Sequence, residues 1–317
     1  MRRMHSNAWD SRHRPGKARV AYHASKTSLA LCQARNPDTP RHVSRPTRRR
    51  LSPSTLEEPC MNTEFCLVEK RDHIMTVRLN RPERLNAMHP PGNLELAKVF
   101  DDFAADDDMW VAIITGEGRG FCAGNDLRYQ AEGGVRPPMP LGFNGLTARW
   151  DLTKPVLAAV NGVAMGGGFE TALACDLIIA SEQATFALPE PKVGLAALAG
   201  GLNRLPRVIG PKRALGMILT ARHVTAKEGY ELGFVNEVVA HDKLMERTLA
   251  WAHQILECSP LSIRASKDVV YRSLSTASLQ DSMEATYDSV LKLRSSEDFI
   301  EGPKAFSEKR KPNWKGR

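Results

Sequence analysis

The sequence predicts an α/β protein with a helical C-terminal region. Three observations lead there. Two continuous apolar runs, Val111–Thr115 and Val156–Val160, have the length of buried strands. The second is followed by a glycine turn, Gly166–Gly167–Gly168, and then by Phe169–Cys175, which reads as the start of a helix. From Asp242 onward the pattern predicts three or four helices, broken at Pro260, with a polar, basic end.

The first 60 residues differ from the rest. They hold 13 Lys and Arg against 4 Asp and Glu, which leaves 31 against 32 in residues 61–317. The net charge of +8 therefore sits in a leader rich in Arg, Ser and Pro. With no lasting apolar periodicity, 1–60 is expected to be disordered. Three readings stand for it: a transit peptide, a basic arm touching RNA or a membrane surface, and sequence upstream of a true start at Met61. The last is favoured, because a self-sufficient domain begins just after Met61. The near-neutral body carries no nucleic-acid footprint. With 42% hydrophobic and 25% charged residues, the chain has the composition of a soluble globular protein, and no run reaches the ~20 apolar residues of a membrane span.

Along the body, Phe65 to Leu79 alternates as two strands about a polar turn at 70–73. Asn80-Arg81-Pro82 stops the second strand. A helix is expected from Leu94 to Ala105, ended by Asp106–Asp108, and then the Val111 strand. The glycine-rich segment 116–127 follows a strand but fails as a dinucleotide fingerprint. Its sixth position is Phe121, and a β-like element follows directly. It reads either as an ordinary turn or as a loop presenting backbone amides around Ala123–Gly124. Residues 130–145, dense in Gly and Pro, read as a mobile loop bordering a substrate mouth. After the glycine turn come a short strand, Leu177 to Ala180, and a stiff turn at Pro189-Glu190-Pro191. A helix is then expected over Lys212 to Leu219, a capping box at Thr225–Glu228, and a last strand within 233–239.

Cysteines at 32, 60, 66, 122, 175 and 258 form no CxxC, and the histidines form no HExxH. Reduced thiols are expected, and no metal site. The organising stretch, 154–195, has a chemical reading. Unpaired amides at a helix start lie at the positive end of its dipole and can hold a developing negative oxygen. Glu170 lies in that first turn and Glu190 twenty residues on. On this stretch alone, a plain tight turn with a dipole-paired carboxylate fits as well.

Four motifs then carry a resemblance: NRPERLNAM at 80–88, FCAGNDL at 121–127, PVLAAVNGVAMGGGFETALACDLIIAS at 155–181, and ATFALPEPKVGL at 184–195. In order and spacing they resemble the crotonase, or enoyl-CoA hydratase/isomerase, family from about residue 64 to the C-terminus. The 141–170 region and the ending SEDFIEGPKAFSEKRKPNWKGR look most like its carnitinyl-CoA dehydratase (crotonobetainyl-CoA hydratase)-type members.

The resemblance implies a crotonase-like superhelix of ββα turns over 61–250 and a C-terminal helical trimerisation region over 251–317. It implies a homotrimer or homohexamer, and reversible syn-type hydration of a 2-enoyl-CoA thioester. Coenzyme A is then part of the substrate and no cofactor is needed. The implied catalytic acids are Glu170 and Glu190, and the implied oxyanion hole is the amides of Ala123 and Gly167. Arg84, Ala123, Gly124, Asn125, Asp126, Gly167, Phe306 and Lys309 are the implied substrate and CoA contacts. The expected location is cytoplasmic, or the mitochondrial matrix for a transit-peptide leader. The rival readings are a double-bond isomerase or other crotonase reaction, and RNA or anionic-surface binding by the leader. One departure from the family pattern, Leu195-Ala196-Ala197-Leu198-Ala199-Gly200-Gly201, lacks a proline usual there and bears on acyl-chain preference.

Overall fold

Strands and helices intermingle from Cys66 to Val239, and helices alone follow. The computed structural model describes residues 63–317 apart from Arg136, so the expectations for the 1–60 leader lie outside the described residues. In chain order the elements are β1 (Cys66–Arg71), β2 (Ile74–Leu79), α1 (Pro90–Ala105), β3 (Val111–Gly116), β4 (Gly120–Cys122), α2 (Leu127–Ala131), β5 (Val156–Val160), β6 (Val163–Met165), α3 (Gly167–Ala174), β7 (Leu177–Ser181) and β8 (Thr185–Ala187). Then come α4 (Gly201–Ile209), α5 (Pro211–Thr220), β9 (Val224–Thr225), α6 (Ala226–Leu232), β10 (Glu237–Val239), α7 (Leu244–Leu256), α8 (Pro260–Ser273), α9 (Leu279–Glu284), α10 (Asp288–Arg294) and α11 (Glu297–Ser307).

The strands divide between two sheets. One runs β1-β2-β3-β5-β7-β10 and the other β4-β6-β8-β9. Successive pairs split between them: β3, β5 and β7 enter the large sheet, and β4, β6 and β8 the small one. Pairing is parallel except for β1 with β2 and β8 with β9. This is the expected repeated ββα winding. The fully apolar strands lie in the middle. Val111–Gly116 and Val156–Val160 are buried at every position, as parallel strands covered on both faces must be. Between the sheets and helices sits the main core, where Phe169, Phe186 and Phe234 pack with centroids 5.1–5.2 Å apart. The other face of the large sheet packs on α7 through Ile113, Leu157, Ile179, Leu244 and Ala252.

Four expectations shift. The first helix begins at Pro90, not Leu94: His89 caps it and prolines fill its first positions, where a missing N–H costs nothing. A helix not foreseen, α4, spans Gly201–Ile209 despite its internal Pro206. Buried Leu205 and Ile209 hold it where propensity would not. The end of the supposed mobile loop is core: Phe143, Asn144 and Gly145 are buried against α1 and α3. Five helices, rather than three or four, follow Asp242. Ser259 caps α8 with Pro260 in its first turn, and the expected boundary after residue 250 falls inside α7. Half of the expected capping box forms: Thr225 Oγ1 accepts from the Glu228 amide at 3.2 Å, while the Glu228 carboxylate accepts from Arg222 at 2.6 Å. Among the described residues Cys66, Cys122 and Cys175 are buried free thiols, and Cys258 is an exposed one.

Candidate active site

The turn from β6 into α3 builds the centre of the site. Gly166 adopts φ +52°, and a Cβ there would lie 2.9 Å from Glu190 Oε1. Only glycine admits that backbone with a carboxylate so near. A Cβ on Gly168 would lie 2.0 Å from the Cys122 carbonyl oxygen, so α3 starts pressed against β4. The Glu170 amide bonds to Gly166 O, whereas the Gly167 amide lies at the helix start with no partner in the preceding turn.

Glu170 is 3% exposed. Its Oε1 accepts from the Gly201 amide at 2.8 Å. Burial pushes its carboxyl up to about 7, against the pull of the Gly201 hydrogen bond, and the charge of Glu190 raises it further. Glu190 opens the single 3-10 turn Glu190–Val193. Burial raises its carboxyl as well. Its Oε2 is buried and unpaired among the described residues. The structure thus brings two side-chain acids, twenty residues apart in sequence, to either side of the Gly166–Gly168 turn.

The second loop, 121–127, meets this turn directly. A methyl group on Gly124 would come within 3.1 Å of the Gly167 nitrogen. Here one implied residue is corrected. The Ala123 amide donates to Leu85 O at 2.9 Å and is not free to face a substrate oxygen. Gly124 donates to the Cys122 sulfur. The amide of Asn125 makes no hydrogen bond among the described residues, although Asn125 pairs with Met88 as an isolated bridge through the neighbouring bonds Met88 N to Gly124 O and Asp126 N to Met88 O. The free donor beside Gly167 is therefore that of Asn125.

Asp126 also departs from its implied role. It is buried, ion-paired to Arg81 Nη2 at 3.1 Å, and caps α2 by accepting from the Arg128 and Tyr129 amides. These contacts hold its carboxyl below the usual range. It secures the loop rather than facing a ligand. Asn125 turns its side chain to Gln130, with Nδ2 donating at 3.2 Å. Arg84 is exposed at the end of the 3-10 turn Pro82–Arg84, next to Leu85, which anchors Ala123.

Phe306 and Lys309 are not brought to the glutamates. Phe306 is 87% exposed at the end of α11, a helix tied to α10 and to the C-terminal tail. Neither residue has a described hydrogen bond or ring contact with the site loops. Among the described residues no cluster of three His, Cys, Asp or Glu could hold a metal ion, and no helix is long and apolar enough to cross a membrane.

A two-sheet ββα winding with glycine-rich amides and paired acids at one turn defines the crotonase class of α/β proteins. The chain belongs to the enoyl-CoA hydratase/isomerase family, whose model matches residues 69–317. It is 43% identical over 255 residues to carnitinyl-CoA dehydratase of Proteus mirabilis (strain HI4320), covering 78% of this chain and 97% of that one. It is 43% identical over 262 residues to carnitinyl-CoA dehydratase of Escherichia coli O157:H7, covering 80% and 100%. Among solved structures it superposes on enoyl-CoA hydratase from Mycobacterium tuberculosis H37Rv with a TM-score of 0.76 at 37% identity, over 80% of this chain and 99% of that one. Enoyl-CoA hydratase from Bacillus anthracis gives 0.74 at 32%, over 80% and 100%.

Proposed function

We propose that the protein is a hydro-lyase that reversibly adds water across the 2,3-double bond of an enoyl-CoA thioester. The observation that carries this reading is the pair of glutamates at the Gly166–Gly168 turn, Glu170 buried and Glu190 half-buried with its Oε2 enclosed. Hydration builds enolate charge on the thioester oxygen, and two backbone amides aimed at that point stabilise it, each worth ~3–4 kcal/mol in other enzymes. The amides of Gly167 and Asn125 fill that role. Glu170, with a carboxyl near 7, takes a proton from water as the oxygen bonds to C3. Glu190 delivers a proton to C2. We assign both acids to one face of the bound thioester, which makes the addition syn. Their titrations couple through the charge of Glu190 acting on Glu170.

For the acyl group we assign a crotonobetainyl-like chain. The support is the name and near-full-length coverage of the relatives at 43% identity, together with the C-terminal sequence. The 195–201 segment shapes that end of the pocket: Ala197 is buried, while Leu198 is 80% exposed. Assembly into a homotrimer, or a dimer of trimers, is assigned to the C-terminal helices. Leu279, Met283, Ile300 and Phe306 are 70–87% exposed there, more large apolar side chains than a monomer usually leaves in water. In that assembly Phe306 and Lys309 would serve a neighbouring subunit's CoA, and Arg84 the CoA of its own.

The test is a screen of crotonyl-, longer enoyl- and crotonobetainyl-CoA, following loss of the enoyl absorbance in isotopically labelled water. Incorporation of solvent oxygen is expected. Product formed without it would instead mark an isomerase.

A further inference from the structure

One half-buried cation near the glutamates has no part in the chemistry above. Arg204, on α4, lies half-buried behind the turn that holds Glu170. Its Nη2 donates to Thr147 O at 2.9 Å. Its guanidinium stacks over the Trp150 ring, 5.1 Å from the centroid. A Cβ on Gly200 would fall 2.1 Å from its Nη1, so the guanidinium rests against the residue preceding Gly201. The Arg204 amide in turn donates to Gly200 O at 2.7 Å.

Thr147 carries the tie onward. Its Oγ1 accepts from the Phe143 amide at 2.7 Å. The Phe143 ring lies under the helix start, 2.8 Å from where a Cβ on Gly167 would be. Segment 143–150 therefore backs Gly167 at one end and is clamped by Arg204 at the other.

We propose that Arg204 is a positioning residue: its guanidinium pins the Gly200–Gly201 turn to segment 143–150, and so fixes both the amide that holds Glu170 and the packing behind the Gly167 amide. This inference rests on the hydratase reading of the Glu170 site. An arginine suits the task because its planar fork can donate and stack at once, which lysine cannot do.

The charge matters as well as the fork. The charged groups facing Glu170 are Glu190, from the 190–193 turn, and Arg204. The titratable groups facing Arg204 are Tyr271 of α8, the Cys175 thiol at the end of α3, and Glu170, the first two held protonated by burial. Among the described residues Arg204 is the cation that bears on Glu170, and it opposes the effect of Glu190. Removing it favours the protonated carboxyl. A base that must be ionised then works only at higher pH.

The experiment compares Arg204→Met and Arg204→Lys with the unaltered enzyme and with Glu170→Gln, reading kcat and KM for enoyl-CoA hydration across pH. Arg204→Met should lower kcat by about 10- to 100-fold while KM changes little. It should also move the acidic limb of kcat/KM up by about one pH unit. Arg204→Lys should keep the limb in place and lose kcat severalfold. A wild-type limb and kcat in either variant, with only the melting temperature lowered, overturns the proposal. If Arg204→Met does not fold, Arg204→Lys decides through kcat, and Trp150→Leu should reproduce its loss in milder form. The infrared titration of the Glu170 carboxyl, isolated by subtracting Glu170→Gln, reads the same shift without turnover. Hydration by the unaltered enzyme that is lost in Glu170→Gln keeps the hydratase reading intact whatever Arg204 does. Absence of any thioester hydration overturns that reading, and the infrared shift then judges Arg204 alone.

Discussion

The Gly201 amide donates to Glu170 Oε1 at 2.8 Å, joining residues 31 apart in sequence. This bond engages the carboxylate with the backbone, and the Ala199 amide bears on the same carboxylate. It also holds a buried acid in place without a side-chain cation in contact. A group so placed is held in position and only partly relieved of its desolvation.

Replacing either acid should remove the reaction. Glu170→Gln and Glu190→Gln are each expected to lower kcat for crotonyl-CoA hydration by about 10²–10⁴-fold, the usual worth of general acid–base catalysis. The proteins should remain folded by circular dichroism, since Gln keeps the volume. A Glu190→Gln enzyme with wild-type turnover would end the proposed division of roles.

The pH dependence follows from the raised carboxyl of Glu170. As a base it must be ionised, so kcat/KM should fall as pH drops below about 7. Stability runs the other way. The folded protein holds this proton more tightly than the unfolded chain does. The energetic cost of burying Glu170 is therefore absent below the unfolded carboxylate range, near pH 4.5, and grows as pH rises toward the folded value near 7. Glu170→Gln should be more stabilising at pH 8 than at pH 5, by on the order of 1–3 kcal/mol, read as a higher relative melting temperature at pH 8. Parallel thermal melts at the two pH values check this, and an equal effect at both would contradict it.

Asp126 should behave as a fastening rather than a ligand contact. Its pair with Arg81 is nearly buried, the side chains being 14% and 9% exposed. Asp126→Ala leaves Arg81 unpaired and uncaps α2, and should destabilise the protein by about 2–4 kcal/mol. Because the Asp126 carboxyl is depressed, its contribution is present above the unfolded carboxylate range and is lost as pH falls through its folded value. Denaturant melts at pH 7 and pH 3 should show a large difference from the unaltered protein at the first and a smaller one at the second.

Gly166→Ala tests the turn itself. The positive φ and the approach of Glu190 Oε1 leave no room for a methyl group. Destabilisation of about 1–3 kcal/mol and at least a tenfold loss of kcat are expected. Chemical denaturation and steady-state kinetics on the same sample separate the two effects. A fully active, equally stable variant would show that this turn tolerates what its geometry forbids.

Much of this arrangement is legible before any coordinates. Val111–Thr115 and Val156–Val160 announce themselves because a strand buried on both faces must be apolar throughout. The Thr225–Glu228 cap is likewise written in adjacent residues. Helix α4 escapes the sequence because two glycines and Pro206 argue locally against it, and only the burial of Leu205 and Ile209 overrides them. Segment 143–145 resembles an exposed loop in composition, yet it is core, with the Asn144 amide donating to Asn93 on α1.

The sequence by itself determined the class of the fold and the glycine turn ahead of Glu170, because each depends on residue type and short spacing, while the pairing of Glu170 with Glu190 came as an implication of the family resemblance. Only the tertiary structure decided which amide of the 121–127 loop is free, since that turns on Leu85, 38 residues before Ala123, taking up the Ala123 N–H. It alone decided that Asp126 holds Arg81, and that Arg204 stands behind Glu170. Hydrogen-bond partners and burial arise from distant segments brought together, and no local pattern encodes which donor the folded chain leaves unpaired.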